Sequence, residues 1–246
     1  MSHHFLEVRD LSYTYPDGTE ALKGLSFRLE HGEAVGVVGA NGAGKSTLLL
    51  ALAGLVDPSN GIVNVGGTIL GKKTVGEVRK RMGFLFQDPD DQLFMPTVFE
   101  DVAFGPANQG LSPGEVSGRV RQALEDVGAA GLAERQSHRL SGGQKRSVAI
   151  ATVLSMLPDI LVMDEPSSGL DPKGRRRLIG LLARFTHTRL VATHDLDLVM
   201  EVCPRTIVLH EGRLAADGPT REIFGDETLL ETCHLERPLC MQGECR

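Results

Sequence analysis

Residues Gly39 to Thr47 read GANGAGKST, and further along the chain LSGGQ (Leu140 to Gln144) precedes ILVMDEP (Ile160 to Pro166). The first stretch fits G-x-x-x-x-G-K-[ST] at Gly39, Gly44, Lys45 and Ser46. It lies between an apolar run, Ala34 to Val38, and a helix-forming run, Ser46 to Ala53, which is the strand, loop and helix context that the pattern requires. Glycines without a Cβ let backbone N–H groups curl around a phosphate, and the following helix adds the partial positive charge of its N-terminus. The stretch Gly39, Ala40, Asn41, Gly42, Ala43, Gly44, Lys45, Ser46 and Thr47 is therefore expected to cradle a polyphosphate. Lys45 would reach the β- and γ-phosphates, and Ser46 would offer its hydroxyl to Mg²⁺. A glycine-rich turn with an incidental lysine does not account for Lys-Ser directly after the last glycine.

The run ILVM ahead of Asp164 and Glu165 reads as a buried parallel strand punctuated by polar residues and Pro166. Groups just past the carboxyl end of such a strand face the ligand crevice. Asp164 is placed to hold the metal, directly or through water, and Glu165 to accept a proton from attacking water. An acidic pair capping a helix is the alternative, and Pro166 with the loop Ser167 to Asp171 weighs against it. In LSGGQ, Ser141 precedes Gly142, Gly143 and the helical stretch Gln144 to Leu154, so it resembles an N-cap with exposed amides, a second anion site. Two phosphate-binding elements and a carboxylate pair together point to ATP hydrolysis.

With these motifs in this order, the chain resembles the nucleotide-binding subunits of ATP-binding-cassette proteins over nearly its whole length. The glycine loop matches the Walker A element, LSGGQ the family signature, and Asp164-Glu165 the Walker B element with its catalytic glutamate. Gln87 matches the Q-loop residue at the metal, Ser168 to Asp171 the D-loop, His194 the switch histidine, and Tyr15 the aromatic residue that stacks on adenine. The residues alone leave these weaker positions open: His194 as a core histidine, Tyr15 as an aromatic of a strand shared with Tyr13, Gln87 as a solvated loop amide. The resemblance implies ATP and Mg²⁺ as cofactors and an α/β fold: a P-loop domain with a RecA-like parallel core sheet, an antiparallel β subdomain and an α-helical subdomain. It also implies a head-to-tail dimer, with itself or a paralogue, in which LSGGQ of one subunit caps the ATP of the other. The expected division is an ATPase domain over 1–225, with the helical subdomain inserted at about 83–157, and a tail over 226–246.

The segment Gln87 to Pro106, QDPDDQLFMPTVFEDVAFGP, combines an acidic turn, a displayed Leu93-Phe94-Met95 cluster and a short helix from about Thr97 to Phe104. Such a loop reads equally as a docking surface for a partner helix or as a cluster tucked into the helical subdomain. It is similar to the segment of energy-coupling-factor transporter ATPases, especially those for cobalt and nickel, including VAFGPAN (Val102 to Asn108). That resemblance implies contact with the coupling helices of integral membrane subunits, where the residues that recognise the cargo would lie, so the transported ion is not expected in the ATPase core. An ATPase for vitamin uptake and a soluble ATPase of iron–sulfur assembly are the alternatives.

At 246 residues the chain can bury a substantial core. Its longest apolar stretch, Leu48 to Val56 apart from Gly54, is far below the roughly 20 residues that cross a bilayer. MSHHFLEVRD carries no signal-peptide hydrophobic region, so the expected location is the cytoplasmic face of a membrane. A net charge of −6 leaves no footprint for nucleic acid, and Lys173 to Arg177 reads as a solvated helix face. The interval from Lys45 to Leu140 is too short for the coiled coil of DNA-repair relatives. Early strands are expected at Phe5 to Val8 and Leu25 to Leu29 around the turn Pro16 to Gly18, forming a small antiparallel sheet over the adenine. Later strands are expected at Ile160 to Met163, Leu190 to Thr193 and Thr206 to Leu209, with helices near Pro172 to Phe185 and Asp195 to Val202. Cys233, His234, Cys240 and Cys245 read as part of a flexible tail, with a soft metal site as the alternative, and His3-His4 as an exposed terminus.

Overall fold

The computed structural model describes residues 5–244. β1 (Leu6–Thr14) and β2 (Glu20–Leu29) pair antiparallel across the turn at Pro16 to Gly18, both running longer than the apolar pattern suggested. β3 (Ala34–Val38) is buried at every position and delivers the glycine loop to α1 (Lys45–Leu52). β4 (Asn60–Val65) and β5 (Thr68–Ile69) complete a four-stranded antiparallel sheet ordered β2-β1-β4-β5. α2 (Val75–Arg81) leads into β6 (Met82–Leu85), and three helices follow, α3 (Val98–Asn108), α4 (Pro113–Asp126) and α5 (Gly142–Leu154). The chain returns through β7 (Ile160–Asp164), α6 (Pro172–Arg184), β8 (Thr188–Ala192), α7 (Leu196–Val202), β9 (Arg205–His210), β10 (Arg213–Pro219), α8 (Thr220–Gly225) and α9 (Glu227–Thr232).

The second sheet has six strands in the order β10-β9-β3-β8-β7-β6. It is parallel except where β10 pairs antiparallel with β9. Alternation along a strand divides its side chains between two cores. Ile160 and Val162 join the core shared with α1 and the antiparallel sheet, while Leu161 and Met163 join the core under α5, α6 and α7. The parallel core sheet, the antiparallel sheet and the helical part implied by the resemblance are all present.

In the helical part, α3, α4 and α5 each start with a reciprocal capping box, Thr97 with Glu100, Ser112 with Glu115 and Ser141 with Gln144. These boxes satisfy N-terminal amides that lack intrahelical partners. Buried Asp101 ties the preceding loop down, accepting from the Phe94 and Met95 amides at 2.9 and 2.8 Å and from the Ser137 hydroxyl. The helix expected to stop at Phe104 runs on through Pro106 to Asn108. Proline cannot donate to the carbonyl four residues earlier, and here the Ser155 hydroxyl donates to that carbonyl, of Val102, at 2.8 Å.

Other expectations need correction. Gly83 does not open the helical stretch, because Met82 to Leu85 pairs with β7 inside the parallel sheet. Leu93 is buried in the core, leaving Phe94 as the displayed residue of its cluster. Lys173 to Arg177 is not merely solvated, since Arg175 binds Asp195 and Glu201 and Arg177 donates to the Val127 carbonyl. Residues 227–235 are no flexible tail: Leu230 and Cys233 are buried in the main core. Cys245, His3 and His4 lie outside the described residues. Among the described residues no group of three or more His, Cys, Asp or Glu could hold a metal ion, and no helix is long and apolar enough to cross a membrane.

Candidate active site

The glycine loop leaves β3 and ends at Gly44, which precedes α1 in the left-handed conformation, φ 104°, with no side-chain cap. A Cβ there would meet the Ala21 carbonyl at 2.7 Å, so only glycine lets the loop lie this close to β2. The first turn of α1 holds no acidic side chain, leaving its amides to an external anion. The Lys45 ammonium folds back on the carbonyls of Gly39 and Ala40, at 2.6 and 3.1 Å. Burial lowers its pKa, opposed by the charges of Glu165 and Asp164.

Both carboxylates sit where β7 ends beside β8. Burial raises the pKa of Asp164, while the Ser46 hydroxyl hydrogen-bonded to it pulls the other way. Glu165 is buried with φ 47°, a left-handed conformation that costs energy for a residue with a side chain. Its amide donates to the Ala192 carbonyl at 2.8 Å, and its carboxylate accepts from the Thr193 hydroxyl at 2.7 Å and the His194 amide at 3.0 Å. The His194 Nδ1 lies 2.8 Å from Glu165 Oε1, and the histidine side chain is 72% exposed, facing outward from the end of β8.

A cavity of about 850 Å³ brings together Tyr15, Asn41, Gly42, Gly44, Lys45, Ser46, Thr47, Gln87, Asp164, Glu165 and His194. Gly39, Ala40 and Ala43 shape its loop without lining it. The Tyr15 hydroxyl is hydrogen-bonded to the Thr47 hydroxyl at 2.9 Å, and its ring meets Tyr13 edge-on at 4.9 Å. The β9–β10 turn closes the same end, with Gly212 donating to the Ala43 carbonyl and accepting from the Lys23 amide. Ser141, Gly143 and Gln144 are not in this cavity. They line another, of about 640 Å³, with Gly169, Lys173 and Arg177, and Gly142 opens α5 beside them.

Residues 22–168 match the family model described as ABC transporter. The chain belongs to the ABC transporter ATP-binding family. A protein of Geobacter sulfurreducens, named provisionally as an ABC transporter ATP-binding protein, is 65% identical over 243 residues, spanning 99% of this chain and 98% of the relative. The energy-coupling factor transporter ATP-binding protein EcfA of Methanosphaera stadtmanae is 48% identical over 238 residues, 95% of this chain and 86% of the relative. Among solved structures, cbiO1 from Clostridium perfringens, described as part of the ABC transporter complex cbiONQ, superposes with a TM-score of 0.80 at 38% identity over 94% of both chains.

As an ABC ATPase the chain binds and hydrolyses ATP. The residue that sequence reasoning missed is Arg146, two positions after the signature and 1% exposed. Its Nη1 donates to the carbonyls of Phe86 and Gln87 at 2.6 and 3.1 Å, its Nη2 to those of Asp164, at 2.8 Å, and Glu165, and its Nε to Pro166 at 3.3 Å. A guanidinium has five N–H donors in a planar fork, and here every one finds a carbonyl of the two loops that carry Gln87 and the carboxylates. Burial pulls its pKa down, against the favourable charges of Asp164, Glu165 and Asp88. Its sequence signal was a charge in register with Ala149, Ile150 and Val153, all on the buried face of α5.

Arg146→Ala leaves five carbonyls without their donor, three of them buried, and should cost more than about 3 kcal/mol in denaturant unfolding, with Arg146→Lys recovering only part. For Asp164, a pKa raised from 3.8 in the fold means that the folded chain holds the proton more tightly than the unfolded one. The contribution of Asp164 to stability without nucleotide is then fully present below the unfolded value and is lost as pH rises through the folded value. Asp164→Asn removes this loss, so its stability relative to wild type should grow as pH rises above the unfolded value of 3.8. A pH-independent difference in chemical unfolding would contradict the burial argument.

Proposed function

We propose that the chain is the ATPase subunit of an energy-coupling-factor importer for cobalt or nickel ions, working at the cytoplasmic face against integral membrane subunits. The observation that carries this reading is an exposed aromatic pair on the helical part. Phe94 and Phe104 are 63% and 45% exposed, with rings edge to face at 5.0 Å. The pair stands on the Asp101-anchored loop and on α3, in the segment that starts at Gln87. Rigid exposed aromatics are the anchors that carry interface energy. The EcfA likeness and the cbiO1 superposition support the same reading.

The connection from this surface to the nucleotide side is short. Gln92 accepts from the Phe86 amide at 3.3 Å and donates to the Thr152 hydroxyl at 2.6 Å and the Ala149 carbonyl at 3.1 Å. A shift of Gln87 is thereby passed to α5 and the signature. In this reading Lys45 leaves the loop carbonyls for the β- and γ-phosphates, Tyr15 stacks on adenine, and Glu165 accepts the proton of the attacking water while His194 senses the γ-phosphate. Ser46, Asp164 and Gln87 are the residues that would hold Mg²⁺, which when bound offsets phosphate charge; the desolvated Asp164 carboxylate suits a cation. Because Ser141 to Gln144 lie apart from the 850 Å³ cavity, they would cap the ATP of a second ATPase subunit, a copy or a paralogue. ATP drives closure only as far as it binds the closed pair more tightly than the open one.

Glu165→Gln should retain ATP binding and lower turnover by about 10² to 10⁴ fold, the worth of a positioned base; turnover near wild type would remove Glu165 from that role. The transporter reading is tested by purifying the subunit from native membranes in detergent, identifying its partners and quantifying cobalt and nickel. Membrane subunits with metal, lost on Phe94→Ser with Phe104→Ser, support it. A vitamin-binding membrane subunit would redirect the cargo, and recovery of soluble scaffold proteins alone would overturn the importer.

A further inference from the structure

The segment 234–242 takes no part in the chemistry above, yet it packs against the element that carries the switch histidine. It is anchored behind by α9, where the Leu235 amide donates to the Leu230 carbonyl at 2.8 Å and Arg237 pairs with Glu227 at 3.0 Å. Gln242 donates to the Arg237 carbonyl at 2.6 Å and the Met241 amide to that of Pro238 at 2.9 Å, so the segment is internally braced. Its forward edge presents two backbone amides, of Leu239 and Cys240, to the two carboxylate oxygens of Asp197, at 3.2 and 2.9 Å. Together with Asn41, His194 and Asp197, residues His234, Leu239 and Gln242 enclose a cavity of about 460 Å³.

Asp197 lies in the first turn of α7, three residues after His194. α7 has only seven residues, too few to hold a helix by itself, so its start goes where side chains fasten it. One fastening is Asp195, which caps the helix by accepting from the Leu198 amide at 2.9 Å. Its carboxylate is also gripped by Arg175, at 3.2 and 3.3 Å, and by the Ser167 hydroxyl at 3.0 Å. That grip orients α7 toward α6 and the loop after Glu165. Leu196, Leu198 and Val199 bury the inner face of the helix in the main core, and on its outer face Asp197 is a further fastening, whose hydrogen bonds among the described residues lead to the 234–242 segment. A charged acceptor taking two amides is among the stronger hydrogen-bonding arrangements.

We propose that residues 234–242 form a positioning strap for His194: by holding Asp197 they fix the start of α7, and with it the angle at which the histidine meets the γ-phosphate. Asp197 is a positioning residue, since it touches neither Glu165 nor the nucleotide cavity. The inference rests on the reading of His194 as the γ-phosphate sensor. The strap therefore acts on turnover and leaves the glycine loop's hold on ATP unchanged.

The test compares kcat and KM for ATP in the full chain carrying Asp197→Ala, Asp197→Asn or Leu239→Pro. The last removes one strap amide at an exposed position where a first-turn proline is tolerated, without touching α7. The expected result is a kcat lower by about fivefold to tenfold in Asp197→Ala, the scale of one net hydrogen bond. KM should stay within about twofold, and Asp197→Asn and Leu239→Pro should fall between it and wild type. In single-turnover hydrolysis of radiolabelled ATP, Asp197→Ala should add little to the loss already caused by His194→Ala, because residues acting as one unit do not contribute independently. Unchanged kcat in Asp197→Ala and Leu239→Pro, a matching rise in KM, or full multiplication of the two losses would overturn the strap while leaving the sensor role intact. Wild-type turnover in His194→Ala would overturn both.

Discussion

A single buried guanidinium holds the catalytic half of this ATPase in register. β6 and β7 are neighbouring parallel strands, and where each ends the chain turns away from the sheet, leaving carbonyls that are buried at Asp164, Glu165 and Pro166 and partly buried at Phe86 and Gln87. Those groups must be paired or they cost free energy. Arg146 pairs five of them at once, and it stands on the helix that the signature begins. The loop bearing Gln87, the loop bearing Asp164 and Glu165, and the start of α5 consequently share one fastening. A lysine offers a point charge with three donors and cannot reproduce the fork.

Around that fastening the site keeps its charges in uncomfortable places. Glu165 sits in a left-handed backbone conformation, steadied by Thr193 and the His194 amide, and Asp164 is desolvated, relieved only in part by the Ser46 hydroxyl and the charges of Lys45 and Arg146. Lys45 spends its ammonium on loop carbonyls. The strain is held by the central strands, β3 and β7 buried at every position and β8 at nearly every one, which cannot relax without opening two cores at once.

The division of the two glycine-rich motifs between two cavities gives the fold its direction. One cavity holds the glycine loop, the carboxylates and His194, and the other holds the signature with Gly169 of the following loop and two basic residues of α6. The capping box at Ser141 and Gln144 keeps the start of α5 formed, while the aromatic pair stands on the neighbouring α3. Hydrogen bonds of Gln92 and Arg146 run between these parts, so the helical part is tied to the glutamine loop through the same short stretch of backbone.

The chemistry was legible in the residues because it depends on types at fixed short spacing: glycines before Lys45, carboxylates at a strand's end, a cap before α5. The buried strands were legible too, β3 and β7 as unbroken apolar runs. Elements whose stability comes from neighbours were not. β4, β5 and β10 carry weak apolar patterns and exist because another strand pairs with them, and α3 passes through Pro106 because Ser155, far along the chain, accepts the role of the missing donor. Arg146 looked like one more cation on a helix until its phase on α5 turned it inward. Residues 226 onward read as a tail because local composition says nothing of the core into which Leu230 and Cys233 insert. Local spacing determined which groups can react; long-range pairing and burial decided which groups hold them still.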